Sequence, residues 1–394
     1  MPEFSPDDPV ALTKALIACP SVTPEVAGVF DVLEDVLRPL GFTTTRVTFE
    51  GDGSYPVENL FATIGEGSPH LLFAGHTDVV PPGDEAAWTS PPFAPTERDG
   101  RLYGRGAADM KSGVAAFVAA AAGLIKEGGL PCGKLSLLIT NDEEADSING
   151  TEKALAWSLA QGERFDFAIV GEPSSAARLG DTIKIGRRGS LSFEIVVTGV
   201  QGHVAHPAKA QNPLPLAARI VTALSGAIDE GSAHFQPSNL EFTSIDVGNR
   251  ANNVIPGRAT LRGNVRFNDH WTAETLVVFL RDRVGTAVAA HRTGSASLNV
   301  LSRPSRSFLA PSGGAVDLMR SVIAAETGES PELSTSGGTS DARFIAPVCP
   351  VVELGLVGTT LHKVDESVTI ADILGLTRLY RAFLAAFLKP QTPR

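Results

Sequence analysis

The 394-residue sequence holds only three cysteines, Cys19, Cys132 and Cys349. They lie far apart, form no CxxC pair and are odd in number, which excludes a disulfide framework and a thiolate metal site. They read as reduced thiols. Basic charge is also scarce: 33 Lys and Arg stand against 44 Asp and Glu, for a formal net charge of −11. With no basic stripe to replace phosphate counterions, neither nucleic acid nor an anionic membrane surface is an expected partner. No uninterrupted apolar run approaches the roughly 18 residues of a membrane span. The opening MPEFSPDDPVALTKALIACP has acidic residues and proline where a secretion leader carries a basic start and an apolar core. A cytoplasmic location is expected. Internal repeats and low-complexity tracts are missing too. What is present is an ordinary globular composition, 43% hydrophobic and 20% charged. The chain is longer than the roughly 250–300 residues at which single cores stop growing.

The pattern along the chain predicts an α/β fold. Helical spacing in DPVALTKALIA and GVFDVLEDVLRPLG precedes strands near residues 70–75, 134–140 and 166–170, and the Ala-rich MKSGVAAFVAAAAGLIKEGG between the first two strands reads as a helix ending in glycine. Strands separated by helices imply a parallel-rich sheet covered by helices. After about residue 181 the texture changes to strand, helix, two strands, helix and strand, the order of a ferredoxin-like α+β sandwich. The α/β pattern resumes near residue 315. The expected organisation is a first domain in two parts, 1–182 and 303–394, interrupted by an inserted domain at 183–302.

Chemistry-bearing residues gather just past the apolar runs. His76 and Asp78 follow HLLFAG, Asp109 lies in GRGAADMK, Glu143 and Glu144 follow LSLLIT, Glu172 follows FAIVG and His362 follows CPVVELGL. In parallel α/β sheets ligands bind at the carboxyl ends of the strands, so these residues are expected at one edge. Each also has a plain structural reading. His76 and Asp78 could be a surface turn, Asp109 a helix N-cap, and Glu143, Glu144 and Glu172 solvated acidic turns. Asp78, two residues from His76 and able to share its face, is suited to hold the second ring nitrogen of a metal-bound imidazole. Adjacent glutamates point differently, so one could bind metal while the other takes a proton from water. Imidazole and carboxylate donors without thiolates suit zinc, cobalt or manganese, and this many donors at one edge suggests two ions. Arg187 or Arg188, Ser190, Asn253, Arg266, Gly338 and Thr339 lie in loops or strand ends that could converge on carboxylates. For the arginines the plain alternative is a surface salt bridge.

HTDVVPPGD, YGRGAADMKSG, NDEE with NGT after it, GEPSS and LHKVDE together resemble the lidded dinuclear-zinc family of aminoacylases, deacetylases and carboxypeptidases, over nearly the whole chain. Within it, GRRGS, GVQGHVAHP, NVIPG, GGTSDARF and LHKVDES are most similar to the desuccinylase branch. The resemblance implies a zinc exopeptidase-like fold with an inserted lid and dimerisation domain, two Zn2+ per subunit with Co2+ as an option in the second site, a homodimer, and a small N-succinyl amino acid as substrate. It implies that Asp109 bridges the metals, that His76 and Glu172 complete one site and Glu144 and His362 the other, that Glu143 is the general base and that Asp78 supports His76. It implies a cis peptide after Asp109. His203 resembles a histidine that one subunit lends to the other to hold the oxyanion. Arg187, Ser190, Asn253, Arg266, Gly338 and Thr339 are implied as contacts to substrate carboxylates. His206 departs from the family pattern, which carries tyrosine there. A deacetylase acting on another N-acyl amino acid is the nearest alternative. A non-catalytic metal-binding scaffold and a hinged solute-binding protein are further ones.

Overall fold

The computed structural model describes residues 4–130, 132–291 and 294–389. The chain divides into two compact units, one made of residues 1–185, 310–334 and 340–394, the other of 186–309 and 335–339.

The first unit is built on an eight-stranded mixed sheet. Across it the strands run in the order Thr43–Gly51, Ser54–Gly65, Lys134–Thr140, His70–His76, Phe167–Val170, Val351–Glu353, Thr182–Lys184 and Glu332–Ser334. Its centre is parallel: His70–His76 pairs in parallel with both Lys134–Thr140 and Phe167–Val170, which in turn pairs in parallel with Val351–Glu353. These central strands are buried on both faces, so they read as nearly continuous apolar runs rather than alternating ones. The antiparallel hairpin of Thr43–Gly51 and Ser54–Gly65 at one edge is not anticipated from the sequence, although its Gly51-Asp52-Gly53 turn, with positive φ at all three residues, is a hairpin signal.

The helix Ser112–Gly128 lies in the core against the helices Pro9–Ile17 and Ile370–Phe387. Its first twelve residues, Ser112 through Gly123, are all buried. A Cβ on Gly113 would lie 2.6 Å from the Gly171 carbonyl oxygen, so the glycine permits this close approach. The helical span Ala107–Gly128 is long and apolar enough to cross a membrane by length and composition alone, its 18-residue window having a mean hydropathy of 1.4, although Asp109 and Lys111 interrupt its apolar run. Its window is 78% buried within the protein, as befits a core helix.

The second unit has the expected strand–helix–strand–strand–helix–strand order. Its antiparallel sheet runs Gly226–Ala227, Asn239–Asp246, Arg258–Phe267, Gly189–Thr198 and Ser295–Val300. Leu191, Phe193, Ile195 and Val197 alternate inward along one central strand and pack against Leu216 and Ile220 of one helix and Leu276 and Leu280 of the other, giving this unit its own core.

Candidate metal centre

Three parallel strands end together, and the residues just beyond them face one another. His76 closes its strand with its imidazole buried. The tight turn Ala107–Lys111 precedes the core helix, and at Asp109 and Met110 it leaves helical angles, with φ −125° at both. The Asp109–Met110 peptide is cis, as the resemblance implies. The N-cap reading of Asp109 does not hold, since the helix begins at Ser112 and its flanking residue makes no side-chain cap. The Asp109 carboxylate instead faces two histidines: Oδ1 lies 3.0 Å from His76 Nε2, and Oδ2 lies 3.4 Å from His362 Nε2.

Around these contacts two donor groups form. His76, Asp109 and Glu172 offer one ligand atom each, all within 4.8 Å of one another, with Glu172 Oε1 3.6 Å from His76 Nε2. Asp109, Glu144 and His362 do the same, with Glu144 Oε1 3.0 Å from His362 Nε2. Asp109 belongs to both groups, one oxygen to each. His362 sits at φ +59°, a left-handed conformation uncommon for a residue with a Cβ and often found at functional sites. The solvated-turn readings fail for Glu144 and Glu172, whose side chains are only 7% and 11% exposed.

Asp78 differs in detail from expectation. His76 Nδ1 lies 2.9 Å from the Asp78 backbone carbonyl, while the carboxylate is farther away at 3.5 Å. The carbonyl thereby fixes the ring with Nε2 turned to the acids. The Asp78 carboxylate accepts from the Thr23 hydroxyl at 2.7 Å and from the amides of Glu143 and Glu144, each at 3.1 Å. It therefore anchors the loop carrying both glutamates. Asp142 braces the same loop from its other side, taking the Tyr55 hydroxyl at 2.6 Å and the amides of Ile148 and Asn149. Neither bracing role is apparent from the sequence, because most of the donors are backbone amides.

The electrostatics suit a cation. Burial and then the charges of Asp109 and Glu143 push the Glu172 carboxyl well above its ordinary range. Burial likewise raises Glu143; His76 opposes this, and Asp341, Asp109 and Glu144 add to it. Burial works against protonated His76, but Asp109 and Asp78 outweigh it and raise the imidazole. His362 is pushed up to about 10 by its bonds to Asp109 and Glu144. Burial and the neighbouring negative charges thus favour the protonated forms of Glu143 and Glu172 unless added positive charge replaces those protons. Divalent cations bound by oxygen and imidazole would supply that charge.

The remaining site candidates belong to the second unit. Arg187 is buried and donates from Nη1 to the Ser336 carbonyl at 3.1 Å; a Cβ on Gly337, at φ +114°, would collide with that guanidinium. Ser190 and Asn239 stand on either side of Arg266 in the strand register, and Arg266 Nη1 is buried with no hydrogen-bond partner among the described residues. Asn264 donates to the Ser190 hydroxyl at 3.0 Å. His203 and Asn253 are exposed; the first accepts from the Ala205 amide at 3.0 Å, and the carbonyl of the second accepts from Val204 at 3.1 Å. Gly338 is exposed and Thr339 half-buried in the short 335–339 segment. Arg188 is bonded within the unit, donating to the Pro237 carbonyl and to Asn239 Oδ1.

Comparison with known proteins agrees with this architecture. A succinyl-diaminopimelate desuccinylase from Rhodospirillum centenum is 52% identical over 388 residues, which cover 98% of this chain and 99% of that protein. A tripeptidase from Staphylococcus aureus superposes with a TM-score of 0.79 at 21% identity, covering 98% of this chain and all of the other. A Bacillus subtilis protein described as a dinuclear metal binding peptidase of the M20 family superposes with a TM-score of 0.69 at 17% identity, covering 96% of this chain and 97% of the other. The sequence model of peptidase family M20/M25/M40 matches residues 72–386, and the chain belongs to that family.

Proposed function

We propose that the protein is a dizinc succinyl-diaminopimelate desuccinylase, hydrolysing N-succinyl-LL-2,6-diaminopimelate to succinate and LL-2,6-diaminopimelate in the cytoplasm. The observation that carries the reading is the pair of donor groups sharing Asp109, in a chain similar over nearly its whole length to proteins of that name. His76, Asp109 and Glu172 would hold one ion; Asp109, Glu144 and His362 would hold the other, with cobalt an option there. Such a pair supplies Lewis-acid polarisation of the amide carbonyl and lowers the pKa of a water.

The chain's own residues do the rest. Glu143, held on a loop whose backbone Asp78 and Asp142 pin, takes the proton from the attacking water and returns it to the leaving amine. Burial raises its carboxyl pKa, which favours a group that must hold the proton between accepting and returning it. Asp78 orients His76 through its carbonyl and Glu143 through its carboxylate. His203, reaching the site from the partner of a homodimer, would donate to the oxyanion where charge develops. Arg187, Ser190, Asn253, Arg266, Gly338 and Thr339 would grip the substrate carboxylates, with Arg266 offering a donor not already engaged among the described residues.

The test is steady-state hydrolysis of N-succinyl-LL-2,6-diaminopimelate against N-acetylornithine, with zinc-loaded protein and an apo control. Zinc-dependent turnover of the succinyl substrate alone is the expected result. Preference for N-acetylornithine would keep the chemistry and overturn the substrate, and no turnover of either would favour a non-catalytic metal protein.

A further inference from the structure

A carboxylate outside the two donor groups lies directly behind them. Glu366 comes four residues after His362 and is fully buried, at 0% exposure. A carboxylate in such a place is costly unless its oxygens are engaged by donors. Oε1 accepts from the amides of Ala108 at 2.7 Å and Asp109 at 3.1 Å, and Oε2 accepts from the Gly106 amide at 3.2 Å and from Arg105 Nη1 at 2.6 Å. The Glu366 backbone carbonyl takes the Gly104 amide at 3.0 Å. One residue thus collects donors from almost every position between 104 and 109. Arg105 is itself 2% exposed; its guanidinium lies 5.2 Å from the Trp88 ring, and Nη1 reaches the Lys363 carbonyl at 3.4 Å.

We propose that Glu366 is a positioning residue for the metal centre. By holding the amide of Asp109 and of the residue before it, it sets the backbone from which the two Asp109 oxygens diverge, one to His76 and one to His362. By standing in the His362 segment, it also ties the loop of the shared ligand to that of the second histidine. The donor halves are therefore registered to each other through buried hydrogen bonds and do not rely on the ions alone. Every group around its carboxylate is a donor, so an amide at this position would turn an NH2 group onto N–H groups. The inference rests on the reading of Asp109 as the shared ligand.

The experiment compares wild type, Glu366→Gln and Glu366→Asp by chelator competition for bound zinc and by the visible spectrum of the cobalt-substituted proteins. Circular dichroism checks the fold. Loss of a partner behind a metal ligand typically costs about 10–100-fold in metal affinity. That loss is expected for Glu366→Gln, with altered cobalt bands and with kcat reduced more than KM is changed. Glu366→Asp keeps the charge but is one methylene too short to reach all four donors, so a smaller loss is expected, and it serves as the test if the glutamine variant does not fold. A lower melting temperature with wild-type zinc affinity and cobalt spectrum in the folded variants would make Glu366 a stability residue only and overturn the inference. Failure of the wild-type protein to bind zinc would overturn the metal-centre reading itself, and the inference with it.

Discussion

The strand His70–His76 carries a buried histidine at each end, and the two imidazoles are set up for opposite tasks. His70 and His76 are 3% and 1% exposed, so burial does not distinguish them. Their neighbours do. His70 has both ring nitrogens hydrogen-bonded to neutral groups, Nδ1 to the Arg164 carbonyl at 2.7 Å and Nε2 to the Ser136 hydroxyl at 2.8 Å; its ring packs on Phe165, and the Glu163 carboxylate stands farther off, 3.8 Å from Nδ1, and is itself paired with Lys134. Burial lowers its pKa, with the Arg164 carbonyl and the charges of Glu163 and Asp166 only partly offsetting the effect. His76 has one nitrogen fixed by a carbonyl and the other turned to carboxylates, and its pKa rises. A buried histidine becomes a candidate ligand when one nitrogen is oriented and the other faces concentrated negative charge. It remains a core residue when both nitrogens are satisfied by neutral partners.

Substitutions at the two ends sharpen the contrast. The largest effect is expected from His76→Ala, which should abolish turnover and lose the ion held with Asp109 and Glu172, as read by elemental analysis; full metal content would remove His76 from the ligand set. Next comes Glu143→Ala, for which turnover should fall by about 10²–10⁴-fold, the usual worth of a general base, with both metals retained. Retained turnover in metal-replete protein would take the proton-transfer role from Glu143. His362→Ala should lose one metal equivalent and leave the other, and unchanged stoichiometry would refute it as a ligand. At the far end, His70→Ala should leave metal content and turnover per folded molecule unchanged while stability falls by about 1–3 kcal/mol, because Ser136 and the Arg164 carbonyl lose a buried partner. Denaturant unfolding measures this, and loss of metal in that variant would break the comparison.

How much of this was legible in the sequence follows from the kind of contact involved. The parallel strands and the residues just past them could be read because each strand end combines an apolar run with a donor type, and topology brings such ends together. The order of the inserted unit could be read for a similar reason: alternation such as that of Leu191, Phe193, Ile195 and Val197 distinguishes strand from helix. The bracing around the site was less accessible. Asp78 was expected to serve His76 through its carboxylate, yet its carbonyl is the nearer acceptor, and the carboxylate is taken up by the Glu143 and Glu144 amides. Glu366 lies within a quoted motif, but its partners are mostly amides of residues some 260 positions away. Backbone donors leave no trace in residue identity, so side-chain patterns reveal the candidate ligands and conceal what holds them.

The smallest expected effect is a pH dependence that separates the two ends without touching the metal centre. The folded-state pKa of His70 lies below the unfolded value of 6.5. Above that value the imidazole is neutral in both states and contributes no pH dependence. As pH falls through about 6.5, the unfolded chain takes up the proton first, so this contribution to stability is lost on the acidic side. Other groups, and release of metal by protonation of its ligands, destabilise the protein in the same direction. The His70 share is therefore the difference between two slopes. Unfolding free energy measured from about pH 7.5 to about pH 5.5 should decline more steeply for wild type than for His70→Ala, by an amount independent of added zinc. Equal slopes would mean that His70 is not held neutral, and the contrast between the two ends of the strand would then rest on ligand geometry alone.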